Sequence, residues 1–180
     1  MKIKPLTHFT KDGKEIIIRQ AEERDATKLI DLKKGYLKNS TSIPMLVSEY
    51  KNDEQMEKDL IHRFISERNS LLLVAEHDDT IIGNIDIIGS QRKKMFHTGV
   101  VGMGIANGWR NMSIGSYLME GALKWTLSSS YLSVIWLEVY SDNKGGIKLY
   151  EKFGFEPCGF IKNFFMEENP VDKITMVKYL

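Results

Sequence analysis

Residues 102–121 read GMGIANGWRNMSIGSYLMEG, and the succession of residue types in this stretch decides the architecture around it. A β-prone run ending near Ala106 is broken by Asn107-Gly108. From Ser113 onward, Ile114, Tyr117, Leu118, Gly121, Ala122 and Trp125 recur at helical spacing. A strand therefore runs through a tight turn directly into a helix. The first turn of a helix leaves backbone N–H groups without intrahelical acceptors, and the aligned peptide dipoles add positive charge there, so this turn is a place for an anion. Gly102 and Gly104, in the strand just before it, suit a bulge or the close approach of another chain to the backbone.

On the N-terminal side, residues 15–20 (EIIIRQ) read as a strand because three consecutive β-branched residues favour the extended form. Asp25 opens a helix carrying Ala26, Leu29, Ile30, Lys33 and Leu37, weakened near its end by Gly35. Residues 39–50 are irregular. Asn52, with Gln55 three positions later, reads as a capping box for a second helix bearing Met56, Leu60, Ile61 and Phe64. Apolar runs over 70–75 and 80–88 flank His77-Asp78-Asp79 as a hairpin, and the charged segment 91–96 leads into the strand that ends at Ala106. On the C-terminal side come a strand over 132–140 and a short helix over 143–153 stopped by Gly154. Two strands follow, over 155–166 and 172–179. This order predicts a mixed sheet with helices on its faces.

The chain has 180 residues, 42% hydrophobic and 27% charged. That length supports a single domain over 1–180, able to bury roughly 70% of its unfolded surface. Lys and Arg number 25 against 24 Asp and Glu, a net charge of +1 that leaves no general attraction for polyanions. The basic cluster Gln91-Arg92-Lys93-Lys94 is short and reads as a solvated loop, so no nucleic-acid partner is expected. The lone cysteine, Cys158, excludes an internal disulfide and a cysteine-based zinc site, and reads as a small buried hydrophobe in a reducing compartment. No apolar run approaches the ~20 residues needed to span a bilayer, so the expectation is a cytoplasmic protein without membrane association or metal.

Residues 109–116, WRNMSIGS, resemble the pyrophosphate loop of the GCN5-related N-acetyltransferases, whose pattern is Gln or Arg, two residues, Gly, one residue, then Gly or Ala. Arg110 and Gly115 match, while Ser113 stands at the first Gly position. Residues 137–155, LEVYSDNKGGIKLYEKFGF, are similar to the second hallmark of that family, with Asn143, Gly146, Tyr150, Gly154 and Phe155 at the matching places. RQAEERDA from Arg19 and DKITMVKYL from Asp172 extend the resemblance over nearly the whole chain. It implies the acyl-CoA N-acyltransferase fold, an α+β domain built on a central, mostly antiparallel, splayed seven-stranded sheet with helices on both faces. It also implies acetyl-CoA as co-substrate, an amine acceptor and direct attack in a ternary complex without a covalent acetyl-enzyme. The ending PVDKITMVKYL is similar to ribosomal-protein, polyamine, amino-acid and antibiotic N-acetyltransferases alike, which selects no acceptor.

By the same resemblance, Met103, Gly104 and Ile105 meet the pantetheine arm, with the Ile105 N–H as donor to the thioester oxygen. Backbone amides of Arg110, Asn111, Met112, Ser113, Ile114, Gly115 and Ser116 cradle the pyrophosphate. The Ser113 hydroxyl either caps the helix or donates to a phosphate. Asn143 either ties the strand end to the pantetheine arm or a water, or caps its helix. Tyr150 is placed as general acid toward the leaving sulfur, with helix-to-sheet packing as its structural alternative. A phenol of pKa ~10 beside a thiol of ~8.5 is the weaker acid by about 2 kcal/mol, so hydrogen bonding to sulfur is its main work. Candidates for the base are Glu138, His97, Asp86 or a water. Glu138 alternates with Ile135, Leu137 and Val139 and so lies on the opposite face of its strand. Acceptor walls are expected from 34–50, 91–97 and 163–172, where Glu49, Glu167, Glu168 and Asp172 would suit a cationic amine. A CoA-binding sensor without turnover is the competing reading, and exposed strand edges allow a homodimer.

Overall fold

The computed structural model describes residues 3–129 and 131–180. Twelve regular elements occur in the order β1 (Leu6–Phe9), β2 (Glu15–Gln20), α1 (Ala26–Lys38), α2 (Glu54–Ser66), β3 (Leu71–His77), β4 (Thr80–Gly89), β5 (Thr98–Ile105), α3 (Ile114–Ser129), β6 (Val134–Tyr140), α4 (Lys144–Lys152), β7 (Glu156–Met166) and β8 (Pro170–Tyr179). The strands form one sheet in the order β1-β2-β3-β4-β5-β6-β8-β7. Every neighbouring pair is antiparallel except β5–β6.

The sheet has eight strands rather than seven. The additional one, Leu6–Phe9, lies in the polar lead-in and pairs with β2 from Leu6↔Ile18 to Phe9↔Glu15. Strand β3 explains the layering. Leu71, Leu73 and Ala75 enter one core with Leu118, Ala122 and Trp125 of α3, while Leu72 and Val74 enter a second with Leu29 and Leu32 of α1 and Ile61 and Phe64 of α2. A strand covered on both faces needs an unbroken apolar run, which LLLVA supplies. At the β3–β4 turn, Asp78 and Asp79 both take positive φ, 44° and 60°, as a tight hairpin turn requires.

Two local expectations are corrected. Asp53, not Asn52, caps α2, its Oδ1 accepting from the Met56 N–H at 2.8 Å, while the Asn52 amide turns to Glu57. Cys158 is exposed on β7 rather than buried, because along this edge strand only Phe165 is covered. Among the described residues no helix is long and apolar enough to cross a membrane.

Candidate active site

Strands β5 and β6 run parallel for only three residues, ending at Val100↔Trp136. Beyond that point β5 stays with β4 and β6 stays with β8, so the sheet splits. Hydrogen-bond alternation shows what the split exposes. The Ser90 N–H donates to the Thr98 carbonyl and the Ala106 N–H to the Ile82 carbonyl, at 3.0 and 2.9 Å. Even-numbered residues of β5 therefore bond β4, and odd-numbered residues turn their peptide groups the other way. Past the split, the N–H and C=O of Met103 and Ile105 point into the opening. On the facing side, the Ser141 N–H bonds the Asp172 carbonyl, which leaves the even-numbered peptide groups of β6, Glu138 among them, on the same opening.

This opening continues into a cleft of about 610 Å³ that also takes in the turn after β5. Asn111 and Ser113 there adopt left-handed backbone, φ 63° and 67°, with Met112 between them outside that region. Alternation of this kind makes successive N–H groups converge on an anion. Among the described residues the amides of Arg110 through Ser116 find no backbone or side-chain acceptor, although the Tyr117 N–H already bonds the Ser113 carbonyl. Seven orphan donors beside the positive end of α3 fit a diphosphate. The serine at the expected glycine position thus stands where φ is positive, at a cost of about 1 kcal/mol. Ser113 reaches the cleft, whereas the Met112 side chain packs against the core and does not line it.

The remaining expected residues separate into those the cleft gathers and those it does not. Asn143, Tyr150 and Glu138 all line it. The Asn143 Oδ1 caps α4 by accepting from the Gly146 N–H at 3.0 Å. Tyr150 sets its ring edge-on to Phe155 at 5.9 Å, and among the described residues its hydroxyl bonds nothing. Burial and the nearby Asp86 charge push that phenol up to about 12. The Glu138 Oε1 accepts from the Lys173 ammonium at 2.7 Å, and that ammonium lies 3.8 Å over the Phe164 ring. His97 is exposed at the closed end of β5, its carbonyl taken by the Ser133 and Val134 amides, and it lines no part of the cleft.

Asp86 is itself outside the lining; it stands on β4 opposite Gly102, a cleft-lining residue, and a Cβ on Gly102 would lie 3.0 Å from its Oδ2. The carboxylate thus rests against bare backbone. Desolvation raises its pKa from 3.8 to about 7, with Lys33 pulling the other way. No side-chain hydrogen bond reaches it among the described residues.

Of the expected acceptor walls, only 34–50 is present, contributing Tyr36, Ser40, Ser42, Ile43 and Pro44. The segments 91–97 and 163–172 lie outside the lining. Two of their acids are engaged elsewhere, Glu167 accepting from the Tyr140 hydroxyl and Asp172 from the Asn163 amide, Glu168 lies outside the lining, and Glu49 of the first wall accepts from the Leu46 amide. Sequence reasoning missed Tyr36, whose ring covers Gly104. The wall behind it is held by the fully buried Glu57, which takes the Lys33 ammonium, the Tyr50 hydroxyl and the Asn52 amide.

A split mixed sheet whose open peptide edge leads to a row of unpaired amides defines a protein that holds a long, flexible ligand ending in phosphate. Comparison with known proteins agrees. Residues 18–155 match the model of the acetyltransferase (GNAT) family. The chain is 30% identical over 154 residues to the L-amino acid N-acetyltransferase AaaT of Escherichia coli, covering 83% of this chain and 88% of that protein. It is similar to the crystal structure of a GNAT-family acetyltransferase from Streptococcus pneumoniae, with a TM-score of 0.89 and 25% identity over 92% of this chain and 99% of that one. It also shares its fold with yncA of Salmonella typhimurium, solved with its cofactor acetyl-CoA, with a TM-score of 0.80 and 15% identity over 92% and 94% of the two chains. The chain belongs to the GNAT acetyltransferase family. Its activity is acetyl-CoA-dependent N-acetyl transfer.

Proposed function

We propose that the chain moves the acetyl group of acetyl-CoA directly to a primary amine while both are bound, with Asp86 as proton acceptor and Tyr150 as hydrogen-bond donor to the leaving group. The observation that carries this reading is the continuity between the split sheet edge at Met103 and Ile105 and the unpaired amides of Arg110 to Ser116. Acetyl-CoA, when bound, supplies an acetyl group already activated as a thioester. The chain holds its phosphates with main-chain donors and offers the Met103 and Ile105 amides to oxygen that gains charge.

Proton accounting favours Asp86 as the base. An alkylammonium of pKa ~10.4 gives its proton to an ordinary aspartate at a cost of about 9 kcal/mol, but to Asp86 near 7 at about 5 kcal/mol. Glu138 already shares one oxygen with Lys173, which suits it to hold the incoming ammonium by the other. Tyr150, near 12, keeps its proton throughout, so it serves the departing sulfur as a donor rather than as an acid. The single thiol, Cys158, stands outside the cleft, which supports direct attack over a cysteine-bound acetyl. A cytoplasmic setting is part of the reading, and the acceptor amine is the second partner.

Initial rates of thiol release, measured over a grid of acetyl-CoA and amine concentrations, test the proposal. Intersecting reciprocal lines are expected. Parallel lines would mean a covalent acetyl-enzyme, and tight coenzyme binding without turnover at any pH up to 10 would mean a CoA-binding sensor.

A further inference from the structure

We infer that the acceptor is a primary amine carrying no carboxylate beside it, so that free amino acids are discriminated against at the cleft. This rests on the reading above and narrows it to a substrate class. The cleft is walled in part by Tyr36, Ser40, Ser42, Ile43 and Pro44, and among its described lining residues the one acidic side chain is the carboxylate of Glu138. Asp86 stands behind Gly102 on the same wall. Arg110 is the single Lys or Arg among the described lining residues, and it belongs to the amide-bearing turn.

The two other cations near this wall are already committed. Lys173, itself nearly buried, is bonded to Glu138 and lies over the Phe164 ring. Lys33 is held by Glu57 in the interior between α1 and α2. An ammonium entering here meets an unshared carboxylate oxygen of Glu138. An α-carboxylate entering with it meets the Glu138 charge, with Asp86 behind the Gly102 backbone, and among the described lining residues no cation outside the amide-bearing turn. The chain leaving the cleft at Pro44 continues as exposed apolar residues, Met45, Leu46 and Val47, which suits an uncharged body behind the amine.

The decisive comparison uses the full chain, acetyl-CoA and three acceptors built on one side chain: L-leucine, L-leucinamide and 3-methylbutylamine, which is leucine with hydrogen in place of its carboxylate. The amine of 3-methylbutylamine is at least as basic as that of leucine, so any preference for it cannot come from a larger supply of free base. Rates are followed by thiol release at pH 9 and product mass. The expected result is kcat/KM for 3-methylbutylamine and leucinamide at least about tenfold above leucine. Whichever of the two leads tells a free alkylamine from a peptide-like amino terminus. Leucine equal to or better than both overturns the inference.

Glu138→Gln supplies an internal check, because the ratio between acceptors within one variant is independent of how well that variant folds. Removing the negative charge and freeing Lys173 is expected to narrow the ratio at least about threefold. An unchanged ratio overturns the assignment to Glu138. Transfer to none of the three, in a protein shown by calorimetry to bind acetyl-CoA, overturns the direct-transfer reading itself and is thereby distinct from a failure of selectivity.

Discussion

Replacing Asp86 by Asn moves stability and activity in opposite directions, and both magnitudes follow from one displaced equilibrium. In the unfolded chain the carboxyl titrates near 3.8, and in the folded protein near 7. The folded state therefore binds the proton more tightly. Below pH 3.8 both states are protonated and the site costs nothing. As pH rises toward 7 the unfolded chain ionises first, and folding loses stability. Above about pH 7 the loss levels off near 4 kcal/mol, at 1.36 kcal/mol per pH unit, with the opposing pull of Lys33 already included. An asparagine carries no such penalty, so at pH 8 the variant gains up to about 4 kcal/mol. In a chain of this size that raises Tm by roughly 8 to 15 °C. Near pH 4 the two proteins melt together.

The same substitution removes the proposed proton acceptor. The wild-type rate should fall tenfold per pH unit below about 7, and the variant should lose that limb together with roughly 10²- to 10⁴-fold of kcat/KM. Thermal melts at pH 4, 6 and 8, and rates from pH 5.5 to 9 with a single amine, measure both. A stability gap that does not change with pH would refute the raised titration. A variant that keeps its limb near pH 7 would refute the role as base.

Tyr150→Phe keeps the ring contact with Phe155 but removes the unbonded hydroxyl, so kcat should fall at least about tenfold with little change in KM for acetyl-CoA; steady-state kinetics decide it, and normal turnover would assign the residue to packing. Ser113→Gly relieves a left-handed serine but adds freedom to the unfolded chain, so stability should change by less than about 1 kcal/mol. If main-chain amides carry the phosphate grip, KM for acetyl-CoA in that variant stays within about threefold, whereas a tenfold rise would credit the hydroxyl. Glu57→Ala leaves the Lys33 ammonium unpaired in the interior and should cost about 3 to 5 kcal/mol by denaturant titration; an unaltered midpoint would show that the pair does not hold the wall.

What could be read from the sequence was whatever depends on neighbours along the chain. The turn after β5 announces itself by Asn107-Gly108 and by the helical stripe that begins at Ile114. The short helix α4 lies between its cap, Asn143, and Gly154, whose φ of 78° explains the glycine. Strand β1 escaped because four residues at a sheet edge, LTHF, bury too little to leave a pattern. The choice among the candidate bases Glu138, His97, Asp86 and a water stayed open in the sequence for a different reason. Glu138 meets its counter-charge 35 residues away, and Asp86 owes its raised pKa to burial that no local spacing encodes. One signal was available. In TIIGNIDIIG, Asn84 and Asp86 share one face of a strand that is apolar on both sides, and a polar pair in such a place is expensive enough to demand a reason.

Gly102 and Gly104 join these two kinds of information. The sequence reading offered a bulge or a ligand as their reason, yet the β4–β5 register runs unbroken from Gly83↔Ile105 to Gly89↔Gly99, so there is no bulge. The space left by each missing side chain is filled from within the protein, by the Asp86 carboxylate at Gly102 and the Tyr36 ring at Gly104. Side chains leave a strand perpendicular to the sheet and peptide groups leave it in the plane, so the two functions do not compete. On its face β5 admits a carboxylate and a phenol against bare backbone. Along its edge, Met103 and Ile105 keep their amides open. The glycines thus bring the Asp86 carboxylate, the proposed proton acceptor, to within a backbone's thickness of the open amides of Met103 and Ile105, a closeness that a side chain at Gly102 would push apart.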